Sequence, residues 1–230
     1  MVAEAQRRRI ALIDDHPVVR EGLARLIEQF ADLSVCGEAE DVEDALLLLD
    51  RVRPDLAIVD ISLKRSDGLD LVKQARTRWP AMPVLVLSMH SEEVYAERAL
   101  RAGALGYVMK QEATDHLLTA IRQVLAGVVY VSTAVGARLL EQAVRGRPEK
   151  DRGRIDRLSD RELGVLRLIA RGLNTREIAV QLDTTPRAIE SHRDRIRRKL
   201  DLQNTTQVIQ YAMRWAEGEV RDQGADPPPA

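Results

Sequence analysis

Up to Leu125, short apolar runs alternate with longer stretches in which apolar side chains recur every three or four positions. The runs are Ile10–Ile13, Leu33–Cys36, Leu56–Val59, Val84–Leu87 and Tyr107–Met109. Three of them are continuously apolar, the pattern of strands covered on both faces of a parallel sheet. Between them, Val18–Phe30, Val42–Val52, Leu69–Trp79, Val94–Ala102 and Ala113–Leu125 predict amphipathic helices. In the first, Val19, Leu23, Leu26, Ile27 and Phe30 share one stripe. Five strand–helix units predict an α/β fold, a doubly wound five-stranded parallel sheet, with ligands at the carboxyl ends of its strands.

The character then changes. Val135, Leu139, Leu140 and Ala143 mark a helix over Ala134–Val144, and Val144–Arg154 (VRGRPEKDRGR) combines glycine, proline and dense charge as a linker does. From Leu158 the pattern is wholly helical. Ser159 with Glu162 is a capping box that opens one helix, which Gly172 closes. Asn174 with Glu177 opens a short helix ending near Leu182, and Thr185 before Pro186 caps a third that runs to Leu200. Asn204 with Gln207 opens a fourth, ending near Trp215. Two short helices around a turn at Asp183–Thr184, the second rich in arginine, predict a helix-turn-helix over about Thr175 to Asp194 in an all-α four-helix domain. The expected organisation is therefore a domain over 7–127, a helix and linker over 128–153, a helical domain over 154–218 and a disordered tail over 219–230.

Charge supports two modules with different partners. The 230 residues carry a net −1, but residues 150–230 hold 16 Lys+Arg against 13 Asp+Glu, leaving the remainder at −4. Pro186–Leu200 alone holds six basic and two acidic residues. The one cysteine, Cys36, is expected as a small buried apolar residue. No apolar stretch approaches the roughly 18 residues of a membrane span, and the start has no apolar signal core. A cytoplasmic protein without membrane contact is expected.

Candidate chemistry sits where the strands end. Asp14 and Asp15 follow the first, Asp60 the third, Ser88 the fourth and Lys110 the fifth. A doubly wound fold brings these ends to one rim. Any one such aspartate also serves as a turn former or cap, as Asp14–Asp15 before His16–Pro17 would; the joint pattern is what points to a site. Three carboxylates in one cleft repel, a hard cation such as Mg²⁺ relieves the repulsion, and a lysine beside them suits a phosphoryl group. His16 reads as a helix-opening residue rather than a metal ligand.

At this point the chain resembles a known family. IALIDDHPVVREGL, LAIVDISL…DGLDL, VLVLSMHSEE and RAGALGYVMKQEA are similar to a receiver domain, which is flavodoxin-like. LSDRELGVLRLIARGLNTREIA…AIESHRDRIRRKL is similar to the LuxR-type helix-turn-helix. Together they resemble the NarL/FixJ response regulators over about 7–127 and 155–218. The resemblance implies that Asp60 accepts phosphate from a cognate sensor histidine kinase. It implies that Asp15, Asp60 and the Ser62 carbonyl hold Mg²⁺, with Asp14 acting through water. Lys110 would pair with a phosphoryl oxygen, Ser88 would supply the switching hydroxyl, and Tyr107 would turn inward when that hydroxyl moves. It further implies a transcription factor on double-stranded DNA, a homodimer and RNA polymerase as a partner. The chemistry would be limited to self-phosphorylation and slow self-dephosphorylation, so the chain is not expected to be an enzyme. Leu63–Lys64 and Gln111 depart from the family's frequent residues, as does Thr205, which stands where a basic residue is common.

On the third helix, Ile189, Ile196 and Leu200 form the stripe expected to pack on Val165, Leu166, Ile169, Ile178, Ala179 and Leu182. Arg187, Glu190, Ser191, Asp194, Arg195 and Arg198 lie toward the other side, where they could enter a major groove. With Thr185 they make up the expected DNA face, and Arg187, Arg193, Arg195, Arg197, Arg198 and Lys199 supply phosphate attraction. Glu190 and Asp194 either accept from cytosine N4 or serve as solvated, arginine-orienting carboxylates. His192 reads as a packed, hydrogen-bonding histidine. Two other functions fit the pattern: an aspartyl-phosphate phosphotransfer protein, and an interaction protein whose helical domain binds protein instead of DNA.

Overall fold

In a computed structural model the described residues are 7–63, 66–145 and 154–216. Residues 146–153 of the expected linker, the tail over 219–230 and Lys64 lie outside them. The chain forms two compact units that divide between Leu139 and Leu140. Among the described residues no helix is long and apolar enough to cross a membrane.

The first unit is an all-parallel five-stranded sheet. Its strands β1 (Arg8–Ile13), β2 (Leu33–Ala39), β3 (Leu56–Val59), β4 (Val84–Ser88) and β5 (Gly106–Met109) lie in the order β2-β1-β3-β4-β5. The order reverses at β1, and the crevice of a doubly wound sheet opens at such a reversal, outside the carboxyl ends of the strands. The helices α1 (Pro17–Glu28), α2 (Val42–Val52), α3 (Gly68–Arg78), α4 (Glu92–Ala102) and α5 (Ala113–Leu125) cover both faces. Ile10, Leu12, Ile58, Leu85 and Leu87 pack on Leu23 and Ile27 of α1 and on Leu117, Ile121 and Val124 of α5.

Local differences from the sequence reading have physical causes. β2 runs on to Ala39 past a bulge: Ile10 pairs with Val35 and Ala11 with Gly37, so Cys36 is the extra residue. Cys36 is consequently half-buried, and its thiol donates to the Ile10 carbonyl at 3.4 Å. Beyond α5, Tyr130 forms a parallel bridge to Gly106, with Tyr107 N–H on its carbonyl, and so covers the open edge of β5. The next helix, α6 (Thr133–Arg145), is seated on α4: Ser132 donates to Glu92 (2.6 Å) and Arg138 to the Glu93 carbonyl (2.8 Å). The helix expected over Ala134–Val144 extends by one residue at each end.

The second unit contains α7 (Asp160–Ala170), α8 (Thr175–Gln181), α9 (Pro186–Lys199) and α10 (Thr205–Ala216). Ser159 and Glu162 form the box that opens α7, Asn174 and Glu177 the box of α8, and Thr185 accepts from Ala188 N at the head of α9. At α10, Asn204 accepts from Gln207 N, but the reach-back goes from Gln207 to Gln203 N instead of to the cap residue. Ile189, Ile196 and Leu200 are fully buried with Val165, Leu166 and Ile178. The turn between α8 and α9 places Asp183 in the left-handed region (φ 44°), a conformation its short polar side chain tolerates.

Candidate functional site

The carboxyl ends of β1, β3, β4 and β5 converge, and each side chain expected there is present. Asp14, Asp60 and Ser88 are buried, and Asp15, Ser62 and Lys110 are partly exposed as residues. The Lys110 ammonium bridges Asp14 Oδ2 (2.5 Å) and Asp60 Oδ2 (2.8 Å), with its side chain only 6% exposed. Burial pulls the Lys110 pKa down, but Asp60 and Asp14 outweigh it, and the value stands above the ordinary one. Burial raises the Asp15 carboxyl; His16 opposes, while Asp60 and Asp14 add to the rise.

One lysine thus serves Asp14 and Asp60, with Asp15 beside them. Asp60 Oδ1 is buried without a hydrogen-bond donor among the described residues, and Asp15 Oδ1 is buried facing the His16 ring. Single ligand atoms of Asp14, Asp15, His16 and Asp60 all lie within 4.8 Å of one another. The His16 ring, at the cap of α1, has Nδ1 3.2 Å from Asp14 Oδ1 and 2.8 Å from Asp15 Oδ1, an ion pair only when protonated. Burying unpaired oxygens is costly, so this donor set fits a hard divalent cation.

Four residues that the sequence reading left without a role shape the rim. Arg20 of α1 donates to the Asp14 carbonyl (2.6 Å), Glu38 (3.1 Å) and Glu40 (3.0 Å), tying the β1 turn to β2. Gly68 lets the start of α3 close on the Asp60 loop, because a Cβ there would overlap the Asp60 carbonyl. Asp67 caps α3 by accepting from Leu69 N. His90 Nε2 lies 2.8 Å from Ser62 Oγ, its ring stacks on Tyr95, and its carbonyl accepts from the Tyr107 hydroxyl (2.7 Å). Tyr107 is 1% exposed and points inward; burial raises its pKa, with the Ser88 hydroxyl beside it. Only the spacing of oppositely charged residues around β1 and β2 hinted at Arg20.

In the second unit, Arg187, Glu190, Ser191, Asp194, Arg195 and Arg198 form one exposed stripe along α9. Thr185 is exposed at its head, and Arg193, Arg197 and Lys199 are half-buried at its flanks. Most of the cations already have partners. Lys199 donates to Glu162 (2.7 Å), and Arg195 lies 3.9 Å from the same carboxylate. Arg197 and Arg198 pair with Asp194 (2.7 and 3.0 Å), and Arg193 donates to Thr175 (3.2 Å). Arg187 forms no ion pair among the described residues.

Glu162 is buried, and burial alone would raise its pKa. Hydrogen bonds from Lys199 and the Ser159 backbone outweigh that and lower it. The hydrogen bond from Arg197 holds Asp194 low as well. His192 is packed, but its buried Nδ1 has no hydrogen-bond partner among the described residues; desolvation, then Arg195 and Arg161, lower its pKa.

Residues 10–122 match the family described as response regulator receiver domain, and residues 156–212 match bacterial regulatory proteins of the luxR family. The transcriptional regulatory protein MctR of Rhizobium johnstonii is 32% identical over 92% of this chain and 96% of its own. The oxygen regulatory protein NreC of Staphylococcus haemolyticus is 32% identical over 90% of this chain and 97% of its own. A structure of RcsB from Salmonella enterica serovar Typhimurium, bound to promoter P1flhDC with the phosphomimetic BeF3−, aligns with a TM-score of 0.67 at 28% identity. That alignment covers 90% of this chain and 98% of the other.

Proposed function

The chain belongs to the response regulators of the NarL/FixJ type, a receiver followed by a LuxR-type helix-turn-helix, and from that premise we propose a phosphorylation-switched transcription factor. In this reading Asp60 takes a phosphoryl group from a sensor histidine kinase, and the change governs binding of the helical unit to double-stranded DNA, as a dimer that engages RNA polymerase. The boundaries we assign are 7–127 for the receiver, 128–153 for the connecting helix and linker, and 154–218 for the DNA-binding domain.

The observation that carries the reading is the shared Lys110 between Asp14 and Asp60, with the unpaired Asp60 Oδ1 beside it. An Asp60 carboxylate oxygen attacks phosphorus in line, the phosphorus–nitrogen bond of the donor phosphohistidine breaks, and neutral imidazole leaves after protonation. Lys110, already at Asp60, turns to the new phosphoryl oxygens and offsets their charge. Asp14, Asp15, Asp60 and the Ser62 carbonyl would hold Mg²⁺, which when bound supplies further charge neutralisation at the same oxygens. Ser88 and Tyr107 would register the new group. Ser88 is at the end of β4, and the Tyr107 hydroxyl is bonded to the His90 carbonyl two residues beyond it.

The test is labelling. With Mg²⁺ and an acyl phosphate, wild type should gain one phosphoryl group; Asp60→Ala, or wild type in excess chelator, should gain none. Label that persists in Asp60→Ala would overturn the assignment.

A further inference from the structure

The two acidic residues on the exposed stripe of α9 stand in different settings. Asp194 is used up on its own helix: Oδ1 accepts from Arg197, and Oδ2 lies 3.0 Å from Arg198. Glu190 is held from another helix. Thr175, the first residue of α8, donates its hydroxyl to Glu190 Oε1 at 2.6 Å, and Arg193 Nη1 donates to that same hydroxyl at 3.2 Å. A hydroxyl has one proton to give. With Arg193 on its acceptor side, the proton of Thr175 is committed to Glu190. The chain Arg193–Thr175–Glu190 therefore fixes the carboxylate across the α8–α9 turn. Glu190 is exposed in the second turn of α9, and Oε2 has no partner among the described residues.

On this geometry, and resting on the reading that the helical unit binds DNA, we infer that Glu190 is the residue that selects a base, with Thr175 as its positioning residue. The first turns of the second helix are the part of such a motif that reaches base edges. A single unoccupied carboxylate oxygen is an acceptor and nothing else. Cytosine presents one major-groove group, the N4 amino donor, which matches it. Adenine sets an N7 acceptor beside its N6 amino group, and that lone pair repels a carboxylate. Thymine and guanine offer no donor in the groove. The chemistry selects cytosine. Asp194 instead orients Arg197 and Arg198 on its own helix.

The experiment uses the full chain with Mg²⁺ and an acyl phosphate. Bound duplexes are selected from a random pool, and single-base variants of the winner are then titrated at one salt concentration. Wild type should require cytosine at one position per half-site, with about 5- to 150-fold weaker binding for any other base there. Glu190→Gln should lose that preference, because with Oε1 still held by Thr175 the free end becomes an amino donor, which cytosine N4 cannot accept. Thr175→Val should keep the cytosine preference but narrow the discrimination at that position alone, and Thr175→Ser should restore it. If Glu190→Gln selects the same base at every position, or loses affinity equally for all sequences, the inference fails while the DNA-binding reading stands. If wild type retains no duplex at all, the DNA-binding reading fails and the inference with it.

Discussion

Each unit of this protein buries a cluster of charge, and the two are balanced in opposite ways. At the receiver rim one buried lysine faces Asp14 and Asp60, Asp15 alongside is met by the His16 ring, and Asp60 Oδ1 has no donor among the described residues. In the helical unit one buried carboxylate, Glu162, is met by Lys199, Arg195 and the Ser159 N–H. Removing charge from water costs several kcal/mol per ion unless partners replace the lost solvation. The helical cluster is saturated and locks α9 onto α7. The receiver cluster is short of cations, so it is held less tightly than its burial would allow. That deficit is what a metal and a phosphoryl group can exploit. A stable scaffold and a responsive site are thus built from the same residue types, by changing the ratio of cations to carboxylates.

The largest expected effect comes from worsening the deficit. Lys110→Met leaves Asp14 and Asp60 facing each other without their bridge, and should destabilise the metal-free protein by about 3–5 kcal/mol in urea unfolding. Saturating Mg²⁺ should recover much of that loss. A variant as stable as wild type in chelator would show that Lys110 is not what holds the cluster.

Breaking the saturated cluster should cost less. Glu162→Ala removes charge-assisted bonds whose cationic ends can reach water, a loss of about 1.5–3 kcal/mol. Mg²⁺ should make no difference. Because the folded protein lowers the Glu162 pKa, its stabilisation is complete above the ordinary glutamate value of about 4.3 and is lost as pH falls through the lower folded value. The acid limb of wild-type unfolding should carry that proton uptake, and the variant should lack it.

Smaller still, and opposite in sign, is Asp15→Asn. Burial raises the Asp15 pKa, so its ionised form opposes folding at neutral pH. The variant should unfold later than wild type in chelator, by a margin below the two losses above, and should gain less from Mg²⁺. An earlier midpoint in chelator would contradict the cation deficit at the rim.

The faintest signal is in salt dependence. Arg198→Ala should flatten the log–log slope of DNA affinity by about 0.9 for one phosphate contact. Lys199→Ala should leave the slope almost unchanged, since Lys199 is bound to the buried Glu162, whereas the exposed Arg198–Asp194 pair can open to a phosphate. A slope change from Lys199→Ala equal to that from Arg198→Ala would remove the distinction.

What could be read without coordinates was whatever repeats along the chain. Asp14, Asp60, Ser88 and Lys110 stood out because each ends an apolar run, and Ser159, Asn174 and Thr185 because caps are local. The family relationship was legible from the same motifs. Partners that meet only in space were not. Arg20 bonds to Glu38 and Glu40, and nothing in DDHPVVREGL says which way its guanidinium turns. His90 reaches Ser62 across two loops, and Tyr130 covers β5 from a stretch that reads as the approach to a linker. The arginines of α9 looked like free phosphate ligands, since a sequence shows charge but not the carboxylates that occupy it. Glu162 was legible as a cap residue, yet its hold on Lys199 spans 37 positions.

The central claim is that the cation-poor rim controls the helical unit. It is tested most directly by titrating the full chain onto its selected duplex at one salt concentration, with and without an acyl phosphate, in wild type and in Asp60→Ala, with Mg²⁺ throughout. Wild type should bind more tightly once phosphorylated, and Asp60→Ala should show one affinity under both conditions. A gain that survives in Asp60→Ala, or a stoichiometrically labelled wild type whose affinity does not move, would contradict it.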